Sequence, residues 1–565
     1  MSGKYPADSE TSELRTLIEQ FSEDWALHKR YFDIPLSEED IAAKGTFLER
    51  SRAVLDSLPF ESLSLDGQID YLLLRNLLAY EQEKLSWQAE RERELLRFLP
   101  FAKTIVELEQ GRRCGKPLDA QRAGSALSAA AQEVERAGPL VRRSLAALAR
   151  ALRDNELQTL AGRLVRAVER LREIVQRWHK FYRGYDPAHT WWASAPYTQL
   201  DSALEKLAID LRRQYLDESD EASDTAVVGD PVGRRALVNE LRFSMVAYSP
   251  EELLGIAQRE LSWCEERMVA ASKEMGCGAD WKKALERVKE DHVPPGEQPT
   301  LVRELAREAI EFVAGKQLVT VPTLARELWR VDMLPPEKQR VNPFFTGGEV
   351  ISVAYPTDEM PHEEKLMRLR GNNRHFARAT VHHELIPGHF LQGYMAARHR
   401  KYRAIFRTPF YVEGWCLHWE MLLWDLGFAK TPENRVGMLF WRMHRCARVL
   451  FSINFHLGQM TAEQCVALLV ERVGMEQKNA EAEVRRSLAG DFPPLYQCAY
   501  LIGGLQLRAL HRELVGSGKM TNREFHDAVL QENAIPVELI RAKLTGQRLA
   551  REFRPAWRFA QLAEE

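Results

Sequence analysis

The run His383-Glu384-Leu385-Ile386-Pro387-Gly388-His389, followed by Glu413-Gly414-Trp415, brings together the side-chain types of a hydrolytic zinc site. Catalytic zinc commonly takes three protein ligands from His and Glu and leaves a position open for water, so a further carboxylate must serve as base. His383 and His389 are the candidate nitrogen ligands of Zn2+. Glu384 is the candidate base, able to take a proton from water and return it to a leaving amine. The third ligand must come from a later carboxylate, and Glu413 and Glu420, seven residues apart on one helix face, allow one to bind metal and the other to brace the site.

The histidine spacing carries a structural expectation. Residues four apart on a helix lie about 40° from alignment, whereas a gap of six leaves them about 120° apart. His383 and His389 can meet at one ion only if the helix is interrupted. Pro387 cannot donate to the carbonyl of His383 and would clash with it, and Gly388 tolerates backbone angles closed to other residues. A bulge or helix end is therefore predicted between the histidines. His382, seven residues before His389, would share its face on an unbroken helix, so the predicted break favours His383.

The elements around the motif read as helices. From Thr11 to about Trp192, apolar residues recur at spacings of three and four, most clearly over Ser125 to Arg183, where interleaved acids and bases indicate solvated faces. Ser249 with Glu252, Thr461 with Gln464 and Thr521 with Glu524 have the capping-box pattern of helix starts. Trp415 and Trp419 are expected in the core. Strands are expected only around Leu318 to Val321 and Val350 to Tyr355, where β-branched residues cluster between Gly and Pro. Asp217 to Gly233 reads as a loop, with a boundary near residue 245. The expected fold is mainly α with a small sheet near the site. A helical region over 1–245 precedes a catalytic region over 246–565, and the two can form one continuous body.

Composition narrows the function classes. The 565 residues are 45% hydrophobic, enough for a large core, and 78 Lys and Arg against 81 Asp and Glu leave no global field for nucleic acid or anionic lipid. The first ten residues have no apolar signal segment, and no run approaches the roughly 18 apolar residues of a membrane span. A soluble, cytoplasmic protein is expected. Seven scattered cysteines without a CxxC pair suit reduced thiols, with neither a structural disulfide nor cysteine-bound zinc.

At these residues the chain resembles the bacterial family catalogued as domain of unknown function 885, whose pattern is similar to HEaiPGHhlQ followed by EGWalYaE. The likeness runs through Phe390-Leu391-Gln392 and Glu413 to Glu420, with His418 where the family has tyrosine. It extends to Leu65-Asp66-Gly67-Gln68-Ile69-Asp70-Tyr71, to Ala499-Tyr500-Leu501-Ile502-Gly503 and to Phe525-His526-Asp527-Ala528-Val529-Leu530 with Pro536. Near the end the chain departs, with Ser487 after Arg486 in place of tyrosine and Asn533-Ala534 in place of a glycine.

The wider resemblance is to gluzincin metallopeptidases such as carboxypeptidase Taq and thimet oligopeptidase, helical proteins with a deep cleft. In those a glutamate roughly thirty residues after the first histidine binds zinc, which implies Glu413 as ligand ahead of Glu420. Dipeptidyl peptidase III is similar in its lengthened histidine spacing. The resemblance also implies a tyrosine from a late helix as donor to the developing oxyanion. Tyr500 is the candidate, with Tyr496 one turn earlier as its alternative. Gly503 and Gly504 would let that helix pack closely and fix the tyrosine.

The function expected is therefore a zinc-dependent metallopeptidase of short peptides, with no nucleic-acid or membrane partner. Zinc, water and glutamate act on any acyl carbon, so a metal-dependent amidase or esterase stays open. So does a catalytically silent helical protein that binds metal or peptide. Whether cleavage is terminal or internal, and the oligomeric state, are not encoded in these motifs.

Overall fold

A computed structural model describes residues 12–149, 154–216, 229–335, 339, 347–348, 350–488, 490 and 492–560. The fold is mainly α, as expected, with 73% helix and a two-stranded parallel sheet. The first ten residues and most of the expected loop after Asp217 lie outside the described residues.

The described residues pack as two compact units, one within 21–56 and 81–226, the other within 1–20, 57–80 and 227–565. In the smaller unit, helices α1 (Ala102–Arg113), α2 (Ala120–Leu148), α3 (Asp154–Tyr182) and α4 (Pro187–Tyr215) share one core. Helix α2 starts where the Asp119 carboxylate accepts from the Arg122 N–H. It buries Leu127, Ala130, Val134, Ala137, Val141 and Leu145, a three-four rhythm that lines one face against α4. The periodicity read over Ser125 to Arg183 is thus a packing periodicity.

The larger unit is built around α5 (Pro250–Glu274), α6 (Arg374–Glu384), α7 (His389–Ala396), α8 (Pro409–Asp425), α9 (Pro432–His456), α10 (Gln477–Leu488), α11 (Tyr496–Leu514) and α12 (Asn522–Gln531). All three expected capping boxes are present: Ser249 with Glu252 starts α5, Thr461 with Gln464 a short helix, and Thr521 with Glu524 α12. Helices α5 and α9 pack in one apolar core, and α8 lies along α11.

This division differs from the sequence boundary near 245, because residues 57–80 belong with the C-terminal part. The reason is a buried charge cluster. Arg403, fully buried, donates from Nε to Asp70 at 2.7 Å and from a terminal nitrogen to Glu532 at 2.5 Å. Lys543 donates to Asp66 at 2.7 Å in the same cluster. Desolvated charges need such partners, so the early segment is held where the later residues supply them.

The strand expectations are met in part. β1 (Arg330–Met333) and β2 (Val350–Val353) pair in parallel, Arg330 opposite Val350. β2 lies within the second expected strand, but Leu318 to Val321 is not a strand. Leu318 and Val319 are buried in a loop whose backbone bonds to side chains: the Leu318 carbonyl accepts from His526 Nδ1 at 2.8 Å and the Thr320 N–H donates to Asp527 at 2.9 Å. The β-branched clustering there reflects burial rather than pairing. Among the described residues no helix is long and apolar enough to cross a membrane.

Candidate metal centre

The helix carrying the first histidine begins at Asn373, whose side-chain oxygen accepts from the His375 and Phe376 N–H groups. It ends at Glu384, and α7 begins at His389. The predicted break therefore lies between the histidines, where Leu385 takes φ −106° and ψ −106° and the Ile386–Pro387 peptide is cis. The Gly388 N–H donates to the His382 carbonyl at 3.0 Å. A Cβ at Gly388 would lie 1.7 Å from the His383 carbonyl oxygen, so this closely folded turn admits only glycine. Trp415, buried as expected, donates its indole N–H to the Pro387 carbonyl at 2.8 Å and ties the turn to α8.

That turn brings both imidazoles to one carboxylate. His383 Nε2 lies 3.7 Å and His389 Nε2 3.2 Å from Glu413 Oε2. On the other side of the His383 ring, Nδ1–H donates to Glu420 Oε1 at 2.7 Å. The spacing of seven residues thus places Glu413 and Glu420 on one face of α8, one toward each nitrogen of the same imidazole. Tyr496 donates its hydroxyl to Glu413 Oε1 at 2.5 Å. Glu413 Oε2, by contrast, is buried and accepts no hydrogen bond.

The electrostatics favour positive charge at this point. Burial would raise the Glu413 carboxyl, but His389 and His383 hold it well below the usual range. Burial would likewise lower His383, yet Glu413 and Glu420 push it up to about 9. Two imidazole nitrogens and an unpartnered anionic oxygen form a donor set that suits a divalent cation such as zinc. Cys416, one turn after Glu413, also lies near both histidines. Burial and the charges of Glu413, Glu384 and Glu420 push its thiol well above the usual range. His382 points elsewhere: its ring meets Phe428 edge-on and neither nitrogen has a hydrogen-bond partner.

Beside the three donors is a cavity of about 580 Å³ lined by Glu384, Tyr496, Tyr500 and the glycines Gly347 and Gly348 just before β2. Burial raises the Glu384 carboxyl, against the pull of His383 and His389. The Tyr500 ring lies parallel to that of His383, with centroids 6.0 Å apart, and burial pushes its hydroxyl up to about 12. Tyr500 is positioned by a close helix contact. A Cβ at Gly503 would lie 1.8 Å from the Phe410 carbonyl, and one at Gly414 2.5 Å from Gly503, so α8 and α11 touch backbone to backbone.

Three arginines of this cavity had no role assigned from the sequence, and of them only Arg486 was noted, in the family resemblance. Arg445 and Arg448 lie on α9 and Arg486 on α10, with the guanidinium groups of Arg445 and Arg448 5.0 and 4.7 Å from the Tyr500 ring centre. Their signal was available: α9 is apolar around Leu439 to Phe455, and cations three residues apart within it had no core role. Four other histidines make structural contacts. His418 and His526 meet at 3.0 Å through their Nε2 atoms, His511 bonds Asn522 at 2.7 Å, and His375 bonds Asp291 at 2.9 Å. The substitution of His418 for tyrosine thus falls on the face of α8 turned toward α12.

A family model described as bacterial protein of unknown function, DUF885, matches residues 27–544. No curated protein sequence matches the chain. Two solved structures share its fold. One is a candidate lipoprotein of unknown function from Shewanella oneidensis, 17% identical with a TM-score of 0.66, covering 94% of this chain and 99% of that one. The other is a candidate lipoprotein from Colwellia psychrerythraea, 15% identical with a TM-score of 0.57, covering 94% and 98%.

Proposed function

The chain belongs to the DUF885 family of bacterial proteins of unknown function, and from that premise we propose that it is a zinc-dependent metallopeptidase of short peptides, chemically akin to the gluzincins. The observation that carries this reading is Glu413 Oε2, a buried anionic oxygen without a hydrogen-bond donor and with two imidazole nitrogens 3.2 and 3.7 Å away. His383, His389 and Glu413 would hold the ion. When bound, zinc supplies a Lewis acid that acidifies water and polarises a carbonyl.

The remaining chemistry belongs to the chain. Glu384, on the cavity wall, accepts the proton of the attacking water and returns it to the departing amine. Glu420 holds His383 in the tautomer whose Nε2 lone pair faces the site. Tyr496 is committed to Glu413, which leaves Tyr500 as the hydroxyl donor to the developing oxyanion. A cavity of about 580 Å³ suits a short peptide rather than a folded domain.

The test is zinc content of protein purified without added metal, for wild type and a His383→Ala, His389→Ala double variant. About one zinc in wild type and none in the variant is expected. Peptide and ester panels then decide the acyl class, with Glu384→Gln expected to keep zinc and lose hydrolysis. Wild type that takes up no zinc when it is supplied sinks the reading. The description of both solved relatives as candidate lipoproteins favours an exported peptidase over the cytoplasmic one expected from the N-terminus, and cell fractionation tests which holds.

A further inference from the structure

The charge of the cavity bears on which peptides it accepts. Its lining includes Arg445, Arg448, Arg486, Lys401 and Arg407, but among the described residues only two carboxylates, Glu384 and Glu413, both beside the histidines. The arginines differ in how fully they are paired. Arg448 donates to Glu483 at 2.6 Å. Arg445 is buried, lies 3.5 Å from Glu420 and approaches His444 at 3.1 Å, which leaves its Nε without a partner. Arg486 is half-buried and stacks over Phe492 at 5.2 Å, with no carboxylate in ion-pair distance among the described residues. Guanidinium groups held in this way match a carboxylate, which they can engage through two hydrogen bonds. Among the described residues, a substrate ammonium would find no anionic partner in the same cavity besides the two carboxylates at the histidines.

We infer that Arg486, together with Arg445, binds the terminal carboxylate of a peptide, so that this site removes residues from the C-terminal end. The inference rests on the peptidase reading above and supplies its substrate class. Hydrolysis adds water across the last accessible amide: the C–N bond breaks, the hydroxyl goes to the acyl carbon, and the proton goes to the amine. The released fragment carries the carboxylate that the arginines held.

The test uses zinc-supplied full-length protein in the Glu384→Gln background, so that binding is read without turnover. Calorimetry compares three mixed pools of acetylated tetrapeptides: free acids, C-terminal amides, and amides ending in a glutamyl side chain. The free acids are expected to bind at least about tenfold tighter than either amide pool, and Arg486→Ala to remove that advantage, with Arg486→Lys recovering part of it. Thermal unfolding of each variant shows that it is folded. Equal binding of acids and amides, or no binding by any pool, overturns the inference, and glutamyl amides that equal the free acids overturn the terminal assignment. Failure of the peptidase reading shows separately, as wild type that binds acids preferentially but cleaves none.

Discussion

Glu413 and Glu420 act on opposite nitrogens of one imidazole, and that difference separates their roles. Glu420 receives the Nδ1 proton of His383, so Glu420→Gln is expected to leave the fold intact and weaken zinc affinity about 10–100-fold, read by chelator competition. Unchanged affinity would remove Glu420 from the site. The two tyrosines are expected to separate likewise. Tyr496→Phe deprives Glu413 of its donor and should weaken zinc retention, whereas Tyr500→Phe should keep zinc and lower kcat on the order of 10²-fold. The opposite pattern would exchange their roles. At neighbouring His382, replacement by Leu should cost no zinc, since that ring faces Phe428. The sequence favours His383 over His382, and it is the His383 ring that faces Glu413, because a proline four residues on disrupts the helix that His382 would need.

The elements that hold these residues differ in how legible they were. The break between α6 and α7, the three capping boxes and the helix starts were readable because each follows from residues a few positions apart. The close contact of α8 and α11 was foreshadowed by Gly503 and Gly504, but Gly414 as its counterpart was not. Gly503→Val would drive a side chain into the Phe410 carbonyl and should cost at least about 2 kcal/mol, with loss of zinc as Glu413 and Tyr496 separate. Ser249→Ala is the contrasting case: loss of that cap should cost about 1 kcal/mol and leave zinc content unchanged. Denaturant titration with metal analysis distinguishes the two. The strand expected at Leu318 to Val321 failed because local composition records burial, while acceptors and donors from α12 took the backbone groups that a strand would have used.

At the scale of the whole molecule, the larger unit recruits residues 57–80 from far along the chain, and Arg403 is the centre of that attachment. Arg403→Met should destabilise by about 3–5 kcal/mol, because it leaves Asp70 buried without its cation and takes from Glu532 one of its three. A denaturant midpoint equal to wild type would show that the cluster is solvated. Zinc is expected to stabilise the native state in turn, so chelation should lower the Tm and zinc should restore it. The sequence by itself determined the interruption between the histidines, the helix starts and the mainly α character, since each depends on chemistry within a few residues. Tertiary structure alone decided which carboxylate faces which histidine nitrogen, which tyrosine bonds to Glu413, and that arginines from two helices line the cavity. His383 meets Glu420 across 37 residues and Tyr496 meets Glu413 across 83. Such pairings are set by how amphipathic helices bury their faces against one another, and no local spacing encodes that choice of neighbour.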